Sequence, residues 1–150
     1  MESMSVSKIT TVLNATLSSL EELLTITIGK VRLISAPVVQ HDFGVLVGIT
    51  GDLKGRLFVF GQHDVFREAG LSMYGIDLPE DLVESFVGEF GNSVAGRMAT
   101  LLSSQHIAID ITPPTTMKGT VHVGGFHHAL QVPFETERGS KGSLTLAMGT

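Results

Sequence analysis

The sequence predicts an α+β fold in which long helices pack on an antiparallel sheet. Two long segments carry apolar residues at helical spacing, and much of the remaining chain alternates polar and apolar residues in short runs separated by turn formers. The elements follow one another as helix, strand, hairpin, short helix, helix, strand and hairpin. Because the second half repeats the layout of the first, we expect a pseudo-duplicated fold with two helix-strand-hairpin halves.

The first half is predicted to begin with an amphipathic helix over residues 5–24. A strand is predicted over residues 25–33, where polar and apolar residues alternate. The alternating runs 43–49 and 56–60 flank a turn that begins at Gly51-Asp52, which predicts a hairpin. A short helix over residues 64–74 ends this half.

The second half is predicted to begin with a long helix over residues 80–104. Residues 107–111 alternate as a strand, and the strand pattern resumes over residues 116–123 after the break at Pro113-Pro114. Residues 129–136 and 143–148 predict a final hairpin.

Three residues mark the start of the long helix. Asp77 is placed to cap it, and Glu80 follows three residues later, as in a capping box. Pro79 suits the first turn, where its missing N–H is not needed.

Composition limits the classes of function. The 150 residues suit a single domain spanning 1–150 with one core, and 43% hydrophobic with 17% charged residues is typical of a globular chain. The net charge of −5, without a Lys/Arg cluster, excludes the usual nucleic-acid or anionic-membrane binder. Without Cys there is no disulfide, thiol nucleophile or Cys-bound metal. No apolar run reaches membrane-spanning length and the N-terminus is polar, so a cytoplasmic location is expected.

The long helix has an unusual exposed face. At 100° per residue, one side is apolar and predicted to face the core: Val83, Val87, Phe90, Val94, Met98 and Leu101. The opposite side is mostly small: Ser85, Gly88, Glu89, Asn92, Gly96, Ala99 and Ser103. Gly88, Gly91 and Gly96 each cost about 0.5–1 kcal/mol relative to Ala inside a helix. A sequence that gives up helix stability in this way often does so at a functional site. Here the glycines would allow another backbone to approach closely.

Glu89 and Asn92 are the two long polar groups on this small-residue face. Residues three apart are neighbours on a helix surface. A carboxylate can hold a cation, and an amide can donate to and accept from one water molecule. The alternative is a solvated pair that arose by chance, on a helix whose glycines serve only close packing.

Two other groups of residues are weaker candidates. His122, His127 and His128 could bind a metal, but without Cys or a helical His pair they fit a solvated cluster better. Ser103-Ser104 has no evident His/Asp partners and fits a helix end better than a nucleophile.

The chain resembles the CheC/CheX/FliY family of chemotaxis phosphatases, whose mark is Glu-x-x-Asn on a long helix followed by small residues and Gly. Here residues 88–96 read GEFGNSVAG. The segment 109–115, with Gly119, resembles the family's Ile-x-x-Pro strand region, and residues 48–55 resemble its hairpin. The resemblance covers nearly the whole chain and implies a CheX-like fold.

The resemblance also implies an activity in two-component signalling, the hydrolysis of the aspartyl phosphate of a CheY-type response regulator. Glu89 would pair with the receiver's active-site Lys, and Asn92 would orient the attacking water. The surrounding docking surface would be Ser85, Gly88, Gly96 and Ala99. The Mg²⁺ would belong to the receiver, so no cofactor of the chain's own is expected.

Two further expectations come from the family. Some members carry a second Glu-x-x-Asn, but the first helix here offers only Thr11-x-x-Asn14, so one active site per chain is expected. CheX-like members form homodimers through their sheets. Two alternatives remain open: a non-catalytic module that docks a receiver or flagellar-switch protein, and a structural dimer in which the glycine-rich helix packs against its copy.

Overall fold

The computed structural model describes residues 6–35, 38–40, 42–126 and 128–149. Along this part of the chain the elements are α1 (Val6–Leu23), β1 (Ile26–Ile28), β2 (Arg32–Ile34), β3 (Val38–Gln40), β4 (Phe43–Gly51), β5 (Gly55–Gly61), α2 (His63–Tyr74), α3 (Glu80–Ser103), β6 (Ile109–Ile111), β7 (Thr115–Lys118), β8 (Val121–Val123), β9 (Ala129–Thr136) and β10 (Lys141–Met148). The predicted helices and both hairpins are confirmed, and each of their ends lies within two residues of its predicted position.

The main sheet confirms the α+β class and the duplicated layout. Its strand order is β1-β9-β10-β5-β4-β6, with β2 also on β9 and β7 also on β4, and all pairs are antiparallel. This order is symmetric about the central β10–β5 pair. The edge strands of each half pair with the hairpin of the other half, since β1 joins β9 and β6 joins β4. The two halves are therefore interleaved in one sheet.

The strand predicted over residues 25–33 is divided into β1 and β2. The pairing runs through Ile28↔Phe134 in β1 and restarts at Arg32↔Gln131 in β2, so three residues oppose two of β9. Pro133 lies in this interval and has no N–H to donate to a ladder. The extra residue and the missing donor produce a bulge that breaks the strand.

The strand predicted over residues 116–123 is also divided. Its two parts, β7 and β8, belong to different sheets because Gly119 turns the chain with φ +84°. β8 pairs with β3, which the sequence did not predict, as a two-stranded ribbon. On the sheet face away from the core helices, a second apolar cluster contains Phe58, Phe60, Val123, Phe126, Ala129 and Ala147.

The main core lies between the helices and the other face of the sheet. The predicted inward residues of α3 are fully buried from Val83 to Met98, but Leu101 is only partly buried. Leu102 takes the next core position instead, because it continues the four-residue spacing of Val94 and Met98.

Two of the three glycines of α3 serve packing inside the chain. A Cβ at Gly91 would lie 2.5 Å from both methyl carbons of Val45 on β4. A Cβ at Gly88 would lie 3.2 Å from a methyl group of Thr116 on β7. The prediction that Gly88 is exposed is therefore wrong: it is buried where the helix meets the sheet. Only Gly96 faces open space, with no described atom within 4 Å of a Cβ placed there.

The predicted capping box does not form. α3 begins at Glu80 with Pro79 as its N-cap residue, and no side chain caps it. Asp77 instead binds Arg67 in a two-pronged ion pair, with both N–O distances at 2.7 Å. The hydrogen bonds from the guanidinium lower the pKa of Asp77. Glu80 lies 2.7 Å from Nε2 of His63. A planar guanidinium gives the carboxylate two charged hydrogen bonds, which are stronger than neutral ones.

Alanine substitutions at two glycines of α3 are expected to change stability in opposite directions. Gly91→Ala forces the helix away from Val45, and such overpacking typically costs about 1–3 kcal/mol, more than the helical gain of about 1 kcal/mol. At Gly96 a methyl group meets no neighbour, so Gly96→Ala brings the helical gain without overpacking and should stabilise the protein by up to about 1 kcal/mol. Urea unfolding midpoints measure both. A stabilised Gly91→Ala variant would show that the close contact with β4 is not constraining.

Candidate functional site

An open groove lies between α3 and the connection from β6 to β7. Its volume is about 630 Å³, and its lining residues are Ser85, Gly88, Glu89, Asn92, Ile111, Thr112, Pro113 and Pro114. The groove thus contains both predicted catalytic residues and two of the four predicted docking residues. The α3 wall is polar, and the opposite wall is largely apolar.

Glu89 and Asn92 project from the α3 wall. Both are exposed, although Phe90 and Gly91 between them are buried. Within the described part of the chain, neither side chain has a hydrogen-bond or ion-pair partner. The groove therefore contains a carboxylate and a neighbouring amide that are both available to bind a partner.

The opposite wall is a stiff turn of the chain. Thr112 is fixed to Gly48 of β4 twice, because its N–H donates to the Gly48 carbonyl at 3.0 Å and its Oγ1 accepts from the Gly48 N–H at 2.8 Å. Pro113 and Pro114 then separate β6 from β7, since neither has an N–H for a ladder. The proline pair was predicted as a strand break and as part of the segment that resembles the family's strand region, but not as a wall of the site. Its contribution to the groove depends on β6 and β7 pairing with β4, which local sequence does not specify.

Gly88 sets the distance between the two walls. A Cβ there would meet Thr116 at 3.2 Å and Cγ of Pro114 at 3.8 Å. A larger residue would push the helix away from the β6–β7 connection. Gly88 thus contributes to the site by allowing close packing, and it offers little surface to a partner.

The other two predicted docking residues lie farther along α3. Gly96 and Ala99 are partly buried and do not line the groove. Gly96 is four residues beyond Asn92 and therefore lies on the same face of the helix. Ser85, by contrast, is exposed and lies in the groove.

The basic side chains near this face already have acidic partners. Lys118 lies 3.2 Å from Glu84, and Arg97 lies 2.7 Å from Glu22 on α1. These pairs leave Glu89 as a carboxylate without a compensating cation among the described residues. A cation on a partner would find it accessible and unpaired.

The described residues show no metal cluster of three or more His, Asp or Glu side chains. His122 and His128 are exposed, and His127 lies outside the described residues. In the same part of the chain, no helix is long and apolar enough to cross a bilayer.

Comparisons with known proteins identify the family of the chain. The family model for the chemotaxis phosphatase CheX matches residues 43–135. The CheY-P phosphatase CheX of Thermotoga maritima is 30% identical over 109 residues, covering 70% of each chain.

Solved structures share the fold. The CheX of the CheX-CheY-BeF3-Mg²⁺ complex from Borrelia burgdorferi has a TM-score of 0.73 at 24% identity, covering 95% of this chain and 97% of that one. A CheC-like protein from Shewanella sp. PV-4 has a TM-score of 0.74 at 24% identity, covering 98% of this chain and 100% of that one. The match over residues 43–135 includes α3, both walls of the groove and the hairpin of β4 and β5. The chain belongs to the CheX family of chemotaxis phosphatases.

Proposed function

We propose that this protein hydrolyses the aspartyl phosphate of a CheY-type response regulator through Glu89 and Asn92. One observation carries the proposal. A carboxylate and an amide lie next to each other on the exposed face of one helix, and neither has a hydrogen-bond or ion-pair partner among the described residues. The Thermotoga relative is a CheY-P phosphatase, and the Borrelia structure is a complex of a CheX with CheY.

Glu89 is the docking residue in this proposal. Its carboxylate pairs with the active-site Lys of the receiver, which fixes α3 over the phosphorylated site. An ion pair of this kind gains strength as the two surfaces exclude water, because the local dielectric falls. Since no described basic residue is paired with Glu89, docking breaks no existing ion pair.

Asn92 is the catalytic residue because it contacts the attacking water. Its amide oxygen accepts a hydrogen bond from the water and its amide nitrogen donates one, so the water is oriented toward phosphorus. The water oxygen bonds to phosphorus as the bond to the aspartate oxygen breaks. Inorganic phosphate leaves, the carboxylate is regenerated and one proton passes to solvent. The chain contributes position rather than a covalent intermediate, as phosphoryl transfer allows.

The receiver supplies the other reacting groups in this proposal. Its Mg²⁺ neutralises charge on the phosphoryl oxygens, and the Borrelia complex contains Mg²⁺ together with BeF3. The described residues of this chain offer no comparable metal cluster of their own.

Asn92→Ala should reduce hydrolysis by at least about 100-fold while leaving receiver binding within about twofold, because it removes water positioning only. Decay of a phosphorylated CheY-type receiver with Mg²⁺ measures the first, and affinity for the beryllofluoride-activated receiver measures the second. Asn14→Ala, at an exposed Asn on α1, is the matched control and should behave as the wild type. Full activity of Asn92→Ala would show that the proposed mechanism is wrong.

Glu89→Ala should weaken both binding and hydrolysis, binding by about tenfold, because the charged anchor is lost. The salt dependence of binding should fall in the same variant, since one ion pair no longer forms at the interface. Glu21→Ala, at an exposed Glu on α1, is the matched control. Binding that keeps its affinity and its salt dependence would show that Glu89 does not meet a cation.

The second candidate function is docking without hydrolysis. The same assays separate the two: binding of the activated receiver without faster phosphate loss, across several receivers, would indicate a docking module. The presence of Asn92 beside Glu89, exposed and unpartnered, favours hydrolysis, because docking alone does not require an amide that orients water.

We also propose that the protein forms a homodimer through its sheet. The sheet ends in the short strands β1 and β2 on one side and β6 and β7 on the other, and such edges can pair with a second chain. Sedimentation equilibrium should give twice the chain mass of 16.0 kDa. A monomer at micromolar concentration would contradict this proposal without affecting the chemistry at Asn92.

A further inference from the structure

Three large apolar side chains are exposed near the start of α3. The exposed fractions are 53% for Tyr74, 56% for Ile76 and 48% for Leu82. The Tyr74 ring packs edge-on against Phe86 at 5.6 Å, and Leu82 lies one helical turn before Phe86. Tyr74, Ile76 and Leu82, called the apolar patch below, therefore belong to one region at the α2–α3 connection. Exposed apolar groups that cluster in this way commonly mark an interaction site.

The backbone that carries the patch is held on both sides of Ile76. Gly75 ends α2 in the left-handed region with φ +70°, and its N–H donates to Leu71. Asp77 is clamped by the two hydrogen bonds from Arg67. Ile76 thus lies between two fixed residues. A segment whose backbone is already held loses less entropy on binding than a mobile one.

The next residue strengthens this anchoring. Leu78 is partly buried against the core and packs so closely on α2 that a Cβ at Gly70 would lie 2.5 Å from its Cδ1. The connection is therefore tied to the core immediately after Asp77. Its exposed apolar side chains are consequences of a fixed backbone path.

The patch is continuous with the face of Glu89. Leu82 and Glu89 are seven residues apart, so they lie on the same side of α3 and about 10 Å from each other along the helix. Ser85 lies between them and is small. A protein surface that contacts Glu89 is therefore placed to contact Leu82 without a large side chain in between.

We propose that the apolar patch is a second docking contact for the receiver domain, and that it selects among receivers. This inference rests on the proposed function. The active-site Lys and phospho-aspartate are common to receiver domains, so Glu89 and Asn92 alone do not distinguish one from another. The cognate receiver carries an exposed apolar side chain about 10 Å from its active-site Lys, where Leu82 meets it. A receiver with a charged residue there loses affinity, because that charge is desolvated without a partner.

Leu82→Gln and Ile76→Gln test the proposal. Both positions are exposed, and Gln is a good helix former at position 82. Each variant should raise KM for the phosphorylated receiver, and Kd for the beryllofluoride-activated receiver, by about tenfold with kcat unchanged. The loss should not depend on salt, unlike the loss caused by Glu89→Ala. Val6→Gln, at a still more exposed apolar residue of α1, is the control and should change neither constant.

The outcomes separate this inference from the proposed function. If KM and Kd of both Gln variants stay within twofold of the wild type, the patch is not a receiver contact. A change in sedimentation with unchanged KM would place a second copy there instead, and would also overturn the inference. If the wild type binds the activated receiver but does not hydrolyse the phosphorylated one, and the Gln variants lose that binding, the apolar patch is a receiver contact and the proposed hydrolysis is wrong.

Discussion

The contact of α3 with β4 at Gly91 and Val45 determines where the side chains of the proposed site lie. The helix backbone approaches the sheet so closely that even a methyl group would have to displace the Val45 side chain. With Phe90 and Val94 fully buried on the same side, the rotation of α3 about its axis is fixed. Glu89 and Asn92 then face outward as a consequence of packing. The local cost of glycine in a helix is offset by the close fit of helix and sheet.

The position of α3 is fixed a second time by α1. Ser19 is fully buried, and its hydroxyl donates to the carbonyl of Val94 at 2.6 Å. Arg97 and Glu22 add an ion pair at 2.7 Å on the surface of the same helix pair. The buried hydrogen bond lies two residues beyond Asn92. Because orienting a water molecule tolerates only small errors in position, an amide on a doubly anchored helix suits the role proposed for Asn92 better than one on a loop.

Helical periodicity was sufficient to predict the outward position of Glu89 and Asn92. The angle between residues on one helix is a local property, so a sequence alone specifies it. The burial of Gly88 was missed because it depends on Thr116, which reaches α3 only when β7 pairs with β4 across the two halves. The same non-local pairing brings Pro113 and Pro114 to the groove. Short strands such as β3 also give too few alternating residues to identify from the sequence.

The exposed face of α3 presents three kinds of surface in order along the helix, and under the proposed function a receiver would meet all three. Leu82 provides an apolar contact at one end, Glu89 and Asn92 provide charge and hydrogen bonds in the middle, and Gly96 provides bare backbone at the other end. From Leu82 to Gly96 the helix rises about 20 Å, which suits one side of a standard protein interface. Gly88 and Gly91 are explained by contacts inside the chain, whereas no described atom explains Gly96. Close approach of a partner backbone at Gly96, one turn beyond Asn92, would give this glycine the packing role that Gly88 and Gly91 have inside the chain.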